Sequence, residues 1–529
     1  MENAKRFAKE KLLFKSISPN FLGDNLITIK VRREAHTLRS SGILMPIFSL
    51  ASEGGIGTFG KEAYRFVDFL KAAKQSYWQI LPLTPTGHGD SPYSSFSAFA
   101  GNPYFIDLEV LIDEKLLTKK EFSSADFGND PHNVDYEKIG SNRLQLLRLA
   151  FNRFNGDSEY DRFLEENGYW LNDFACFMAI KSANSQADWH NWPQTLRRRD
   201  PAALVEIEKD LKEDINFYKF LQFKFSQQWF KLKEYANQNG VKIIGDMPIY
   251  VALDSCDVWA NTEQFQLDDG FMPTSVAGCP PDAFAEDGQL WGNPLYDWKK
   301  MKADGYKWWV SRLKHALKLY DVVRIDHFRG FESYFSIPAT DNTAKNGKWV
   351  KGPDMALFRQ FKKDIGEDLP IIAEDLGYLT PQVKKLLKGT GYPGMKVLQF
   401  AFDGDSNNDY LPYNHPKNSV VYTGTHDNDT IIGWTKSASD EEVKRAEKFF
   451  NAKRNDGFNW TMMRAALASR SDTCILMMPD ILALDSNGRI NTPSVVGGNW
   501  NWRIDSYCIN DWLSKIIADL TTLYGRSPE

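Results

Sequence analysis

The sequence predicts an α/β protein: a (β/α)8 TIM barrel with a large, mostly helical insertion between strands 2 and 3. Three observations lead there. Eight short apolar runs recur along the chain, at 42–48, 77–83, 241–251, 320–328, 370–376, 395–402, 419–425 and 473–482, with helical periodicity between them. Several are dense in Val, Ile and Leu instead of alternating, as expected of strands covered on both faces. Carboxylates stand where three of the runs end, at Asp326, Glu374 and Asp427, and strand C-terminal ends are where such a barrel places its chemistry.

Residues 1–38 precede the first run and read as an N-terminal extension, leaving 39–529 for the catalytic barrel. After the first run, Gly54-Gly55-Ile56-Gly57 makes a tight turn and lacks the spacing of a dinucleotide fingerprint. The second run is followed by the insertion, about 105–240, with helix-like segments such as 142–154 and 202–211. The remaining runs complete the barrel. Between the third and fourth, 280–294 reads as a loop, with two prolines at one end and Gly288 and Gly292 to let it bend. No repeat or low-complexity linker interrupts the order, and no change in composition marks a second domain at the C-terminus.

Composition narrows the function classes. Of the 529 residues, 42% are apolar and 25% charged, ordinary for a globular enzyme. A net charge of −5 and a pI near 6.0 leave no basic field for nucleic acid or an anionic membrane. No apolar stretch is long enough to span a bilayer, and the N-terminus lacks a signal-peptide pattern. Five scattered cysteines without C-x-x-C spacing read as reduced thiols. A glycan on the sequon Asn428-Asp429-Thr430 would obstruct a site at Asp427. The expected compartment is the cytosol, with a plastid stroma as the alternative. No His/Cys/Asp cluster has metal-ligand spacing and no phosphate loop appears, so neither a metal nor a cofactor is expected. Aromatic residues are plentiful, 16 Trp, 21 Tyr and 35 Phe, and large rings with a polar handle suit sugar faces.

The strand ends carry the chemistry. Arg324 and Asp326 lie two apart on a strand and so face the same way, a costly charge pair unless function or pairing compensates. Retaining cleavage of a glycosidic bond needs one carboxylate to attack the anomeric carbon and one carboxyl to protonate the leaving oxygen. Asp326 suits the ionised role because a fixed guanidinium favours its charged form. Glu374 follows an apolar run whose partial desolvation raises its pKa, as a general acid/base requires. Asp427 supplies a third carboxylate for sugar hydroxyls. Any one of these acids taken alone is as easily scaffold, and Asp246, Asp375 and Asp429 show that spacing by itself does not select the three.

Arg324-Ile325-Asp326-His327-Phe328-Arg329-Gly330, Ala373-Glu374-Asp375-Leu376-Gly377 and Gly424-Thr425-His426-Asp427-Asn428-Asp429-Thr430 resemble the signature motifs of the 4-α-glucanotransferases called amylomaltases or disproportionating enzymes, of the α-amylase clan. The likeness continues through 40–59, 91–103, 245–251, 280–294, 397–405 and 499–503, and covers most of the chain after about residue 40. It implies a nucleophile at Asp326, an acid/base at Glu374 and a transition-state stabiliser at Asp427. It further implies substrate contacts at Tyr93, Asp246, Trp291, Arg324 and His426, with Asp282, Gln289, Asp403 and Asn499 lining the cleft. Two departures stand out. Met478-Pro479-Asp480 replaces a usual Gln-Asp, and Gly497-Gly498-Asn499-Trp500 lacks the usual Glu.

The implied reaction is transfer of an α-1,4-glucan segment from a maltooligosaccharide or starch donor to the 4-hydroxyl of glucose or another glucan. The protein would work as a monomer or homodimer. Transfer and hydrolysis share one covalent intermediate, and transfer wins when an acceptor is held in line and water is kept out. In the family the 280–294 segment hangs over the cleft, with Trp291 offering a ring to the acceptor. An α-glucan hydrolase on the same barrel and a catalytically dead glucan-binding protein are the alternatives.

Overall fold

The computed structural model describes residues 39–281, 286–377 and 379–528; the extension read over 1–38 lies outside them. Eight parallel strands close into a barrel: β1 (Ser40–Leu44), β2 (Tyr77–Gln79), β3 (Lys242–Met247), β6 (Val322–Ile325), β9 (Ile371–Ala373), β10 (Gly394–Val397), β11 (Ser419–Tyr422) and β12 (Thr473–Met477). Their order around the barrel is β1-β12-β11-β10-β9-β6-β3-β2. Six lie inside one of the apolar runs, while β1 and β10 begin two residues and one residue before theirs, and the runs overreach the strands at their C-terminal ends. After β6 the backbone turns at His327, whose φ of 47° is left-handed, and after β12 it coils into the short helix Met478–Ile481. Apolar composition continues past the last ladder hydrogen bond because the strand ends are themselves buried. The positions just beyond the ladders are therefore the ones that turn into the cleft.

The crossover from β1 to β2 is the helix Lys61–Ala72, which buries Phe66, Val67 and Leu70. Between β2 and β3 the chain forms the long helices Tyr136–Arg153, Ser158–Ala183 and Lys212–Gln238, the first two N-capped by Asp135 and Asp157. The third helix braces the loop after β2. Gln222 donates to Gly101 O at 2.8 Å and accepts from Gly101 N–H at 2.7 Å, and Gln228 accepts from Asp107 N–H at 2.6 Å. That loop carries Tyr93.

Two features depart from the sequence reading. β10 passes to β11 through 398–418 without an α-helix, where Gly, Asn, Asp and Pro crowd the sequence. A second, antiparallel sheet also grows from the segments after β3 and β6, in the order β5 (Gln289–Pro294), β4 (Ser275–Cys279), β7 (Ser333–Pro338), β8 (Lys348–Lys351). The segment read as a loop over 280–294 thus ends in a strand, Gln289–Pro294. Its strand shows no apolar–polar alternation, since three successive residues, Leu290–Gly292, are exposed, so periodicity gave no signal. Gly292, with φ 78°, lies on this strand, whose pairing with β4 shifts register between Val276 and Gly278.

Candidate active site

At the C-terminal mouth of the barrel, β3 and β6 bring Asp246 and Arg324 together as register partners. Arg324 Nη1 lies 2.7 Å from both Asp246 carboxylate oxygens, and its Nη2 lies 3.0 Å from Asp326 Oδ1. One planar guanidinium thus bridges two carboxylates. Tyr93 donates its hydroxyl to Asp246 Oδ2 at 2.7 Å. The Arg324 and Asp246 side chains are buried, while Asp326 keeps about a quarter of its side chain open, 27%.

Glu374 stands one position beyond β9. Its Oε2 accepts from His327 N–H and its Oε1 from Leu376 N–H, both at 2.7 Å, which fixes the carboxyl plane. The left-handed turn at His327 is what aims that N–H at Glu374. Trp291, on β5, sets its ring edge-on to the His327 imidazole at 4.9 Å and donates its indole N–H to Gln289 Oε1 at 3.0 Å. The new strand therefore carries Trp291 and Gln289 to the acid's side of the cleft, with Trp291 37% exposed.

Asp427 occupies the loop after β11. Asn491 donates to its Oδ1 at 2.6 Å, and His426 Nε2 lies 3.4 Å from its Oδ2. Arg489 donates to the Asp427 carbonyl at 2.9 Å and to Asn491 O at 2.7 Å, tying the loops after β11 and β12 together. His426 stacks on Tyr93, ring centroids 5.1 Å apart and 16° between planes, and Trp500 packs against both.

The electrostatics separate the carboxyls. Burial first, then the neighbouring charge of Asp326, pushes Glu374 up to about 7, with Arg324 and the two backbone donors pulling the other way. Asp326 is also raised, to about 6: burial outweighs Arg324, and Asp246 and Asp427 add to the rise. Arg324 therefore limits the rise at Asp326 without returning it to the ordinary carboxylate range. Burial would lower the Arg324 pKa, but Asp246 and Asp326 drive it well above the usual value. Burial, then Arg329, brings His327 down to about 3, so its imidazole is neutral, and its Nε2 has no hydrogen-bond partner among the described residues.

The other sequence candidates sort themselves by their partners. Asp403 accepts from Asn408 Nδ2 at 2.7 Å within the loop after β10. Asn499 accepts from Thr492 N–H at 2.9 Å and donates to Val495 O at 2.8 Å, closing its own loop beside Trp500. Asp282 lies outside the described residues. The acids that spacing left open have scaffold partners. Asp375 accepts from Met395 N–H at 2.6 Å, and Asp429 takes Thr430 N–H and Ser486 Oγ, both at 2.8 Å. Asp480, at the departing Met-Pro-Asp, is buried and accepts from Thr423 Oγ1 at 2.6 Å and Ile431 N–H at 2.7 Å, anchoring both ends of the loop that holds Asp427. Sequence reading missed Asn491, Arg489 and the packing of Trp500, since they sit in loops without periodicity and meet Asp427 only in space. Among the described residues no group of three or more His, Cys, Asp or Glu is placed to hold a metal ion.

Comparison with known proteins adds the following. Residues 45–508 match the model of a family described as 4-alpha-glucanotransferase. A 4-alpha-glucanotransferase of Clostridium butyricum is 49% identical over 486 residues, covering 91% of this chain and all of that protein. A chloroplastic/amyloplastic 4-alpha-glucanotransferase of Arabidopsis thaliana is 43% identical, covering 92% of this chain and 86% of its own. Among solved structures, amylomaltase from Streptococcus agalactiae in complex with acarbose superposes with a TM-score of 0.90 at 42% identity, covering 93% of this chain and 100% of that one.

Proposed function

The chain belongs to the 4-alpha-glucanotransferase family, and on that footing we propose that Asp326 is its nucleophile, Glu374 its general acid/base and Asp427 its transition-state stabiliser. The enzyme transfers an α-1,4-glucan segment by two displacements that together retain anomeric configuration. In the first, Asp326 attacks the anomeric carbon. The glycosidic C–O bond breaks, and the Glu374 proton passes to the departing oxygen, freeing the reducing-end fragment. In the second, the 4-hydroxyl of glucose or of another glucan gives its proton to Glu374 and attacks the anomeric carbon, releasing Asp326 as a carboxylate. The energy of the old bond is kept in the intermediate, so the cycle draws on no further reagent.

One observation carries this assignment: two carboxyls at adjoining strand ends stand in different settings, Asp326 against the Arg324 guanidinium at 3.0 Å and Glu374 raised by burial and then by the charge of Asp326. A carboxylate held against a guanidinium and a neighbouring carboxyl driven towards its protonated form are the pair the first displacement needs. Asp427, steadied by Asn491 and beside His426, is placed to accept hydroxyls of the ring under attack. Tyr93, clamped between Asp246 and the His426 ring, offers that sugar an aromatic face. Arg324 and Asp246 set the nucleophile's position and charge. Trp291 and Gln289 shape the acceptor side, with Asp403 and Asn499 assigned to loops that rim the cleft; Asp282, outside the described residues, keeps its assignment from the family resemblance alone.

Purified protein incubated with maltotriose tests the reading. Glucose together with a ladder of longer maltodextrins is the expected product set; short sugars with new reducing ends and no longer chains would replace transfer by hydrolysis. No helix among the described residues is long and apolar enough to cross a membrane. We assign the enzyme to the cytosol, with a plastid stroma as the alternative, acting on glucans and not on nucleic acid or membranes, as a monomer or homodimer.

A further inference from the structure

A groove of about 360 Å³ lies away from the strand-end carboxylates, where the helix Ser158–Ala183 crosses the short helix Cys256–Ala260 and the first turns of the helix Lys307–Leu319. That volume falls at the lower end of the roughly 300–1,000 Å³ typical of small-molecule sites. The helix Lys307–Leu319 runs into β6, so its first turn lies at the end of the barrel opposite the start of β6, the end that carries the active site.

Three properties of the groove bear on what it takes. First, it has a fixed aromatic platform. Tyr169 is 59% exposed, yet its hydroxyl is tied to His315 Nδ1 at 3.1 Å, and His315 Nε2 is tied in turn to Phe99 O at 2.9 Å. Phe99 stands edge-on to both Tyr169 and the half-buried Trp308, at 6.2 Å from each. A large ring left open to solvent with its orientation locked costs little further entropy when a flat ligand face settles on it. Secondly, the polar lining is rich in carboxylates, most of them already engaged. Asp173 is paired with Arg199 at 2.5 Å, and Asp304 caps Lys307 N–H and accepts from Gln264 Nε2. Asp257 accepts from Ala98 N–H at 2.7 Å, and the exposed Glu263 and Lys307 add one charge of each sign, so most of the lining carboxylates are engaged acceptors of the kind that also take sugar hydroxyls. Thirdly, Gln264 lines the groove with its amide oxygen buried and without a partner among the described residues. An acceptor left unpaired there is an opening for a donor such as a hydroxyl.

Exposed ring, engaged carboxylates and orphaned acceptor are together the chemistry that recognises a pyranose. We propose that this groove is a second carbohydrate site that holds a short stretch of an α-glucan chain while another part of the same or a neighbouring chain occupies the active site. It rests on the glucanotransferase reading for the choice of sugar. Its value to the enzyme is tethering: a chain already held on the flank raises the local concentration of its own free end at the cleft, an effect available to long glucans and not to maltotriose.

The test uses Asp326→Asn protein, which binds glucans without turning them over, titrated with maltoheptaose by calorimetry, with and without Tyr169→Ala. Two classes of site are expected in the first case and one in the second. In the otherwise unaltered enzyme, Tyr169→Ala is expected to raise KM for amylose about fivefold, the loss of one aromatic stack, and to leave maltotriose kinetics unchanged. Gln264→Ala, which removes only a partly exposed amide, is expected to act in the same direction and guards against a folding defect in the first variant. A single class of site in both titrations, or equal effects on amylose and maltotriose, would overturn the proposal. Failure of the parent enzyme to disproportionate maltotriose would instead strike at the glucanotransferase reading, leaving the binding result to stand by itself.

Discussion

Arg324 on β6 and Asp246 on β3 are register partners, and the guanidinium of the first lies 2.7 Å from both oxygens of the second while its other nitrogen reaches Asp326. The pair is fully enclosed, so each charge depends on the other for its place in the barrel. Replacing Asp246 by Ala leaves Arg324 with one partner instead of two. The expected outcome is a destabilisation of about 3–5 kcal/mol in denaturant unfolding, the usual consequence of breaking a buried pair. A large fall in kcat accompanies it, because Asp326 loses the alignment that Arg324 gives it.

The pH dependence follows from the two raised carboxyls. Activity needs Asp326 ionised and Glu374 protonated. Asp326 gains its charge as pH rises through about 6, and Glu374 loses its proton as pH rises through about 7. A narrow bell in kcat/KM between those limbs is therefore expected, and the two limbs belong to the pair jointly. Because Asp326 is the second-largest cause holding Glu374 up, Asp326→Asn lowers the Glu374 pKa, which a carboxyl titration by NMR reads directly. The same variant loses at least about 10⁴-fold in kcat, as expected on removing a covalent nucleophile.

Glu374→Ala separates acid from nucleophile. With maltotriose as donor it is expected to be nearly inactive. With α-maltosyl fluoride, whose leaving group needs no proton, formation of the glycosyl–enzyme proceeds, and the alkaline limb of the profile disappears. Retention of that limb would assign it to another group.

The Asn491 side chain donates to Asp427 Oδ1 at 2.6 Å. Asn491→Ala is expected to lower kcat by about 10–100-fold while leaving thermal stability nearly unchanged, the scale on which a supporting contact to a reacting group acts. An effect on KM alone would place Asn491 in ground-state binding.

Trp291 touches the acid's side of the site through the edge of His327 and is 37% exposed. Trp291→Ala is expected to raise the share of hydrolysis in the products, since it strips the acceptor side of a ring and opens it to water. The measurement is the ratio of glucose equivalents released to chains lengthened. An unchanged ratio would return Trp291 to the role of a strand anchor.

Much of the barrel was legible from the chain because a strand covered on both faces must be apolar throughout, and eight such runs leave few other architectures. The sheet of β4, β5, β7 and β8 was not legible. Its outer strands β5 and β8 lie near the surface, where Gln289-Leu290-Trp291-Gly292 has neither alternation nor density, and the prolines and glycines around them spoke for a loop. The same contrast holds in the site. Asp326, Glu374 and Asp427 end apolar runs and could be picked out as charges out of place. Asp375 and Asp429 have equal claims on paper, and only their partners Met395 N–H, Thr430 N–H and Ser486 dismiss them.

The sequence by itself determined the eight barrel strands and that acids wait near their ends, since these depend on local hydrophobicity and short-range spacing. Tertiary structure alone decided that Arg324 answers to Asp246 as well as to Asp326, that burial lifts Asp326 despite that arginine, and that Asn491 from the far end of the chain steadies Asp427. Those outcomes depend on desolvation and on distances between residues dozens of positions apart, quantities that exist only once the barrel has closed.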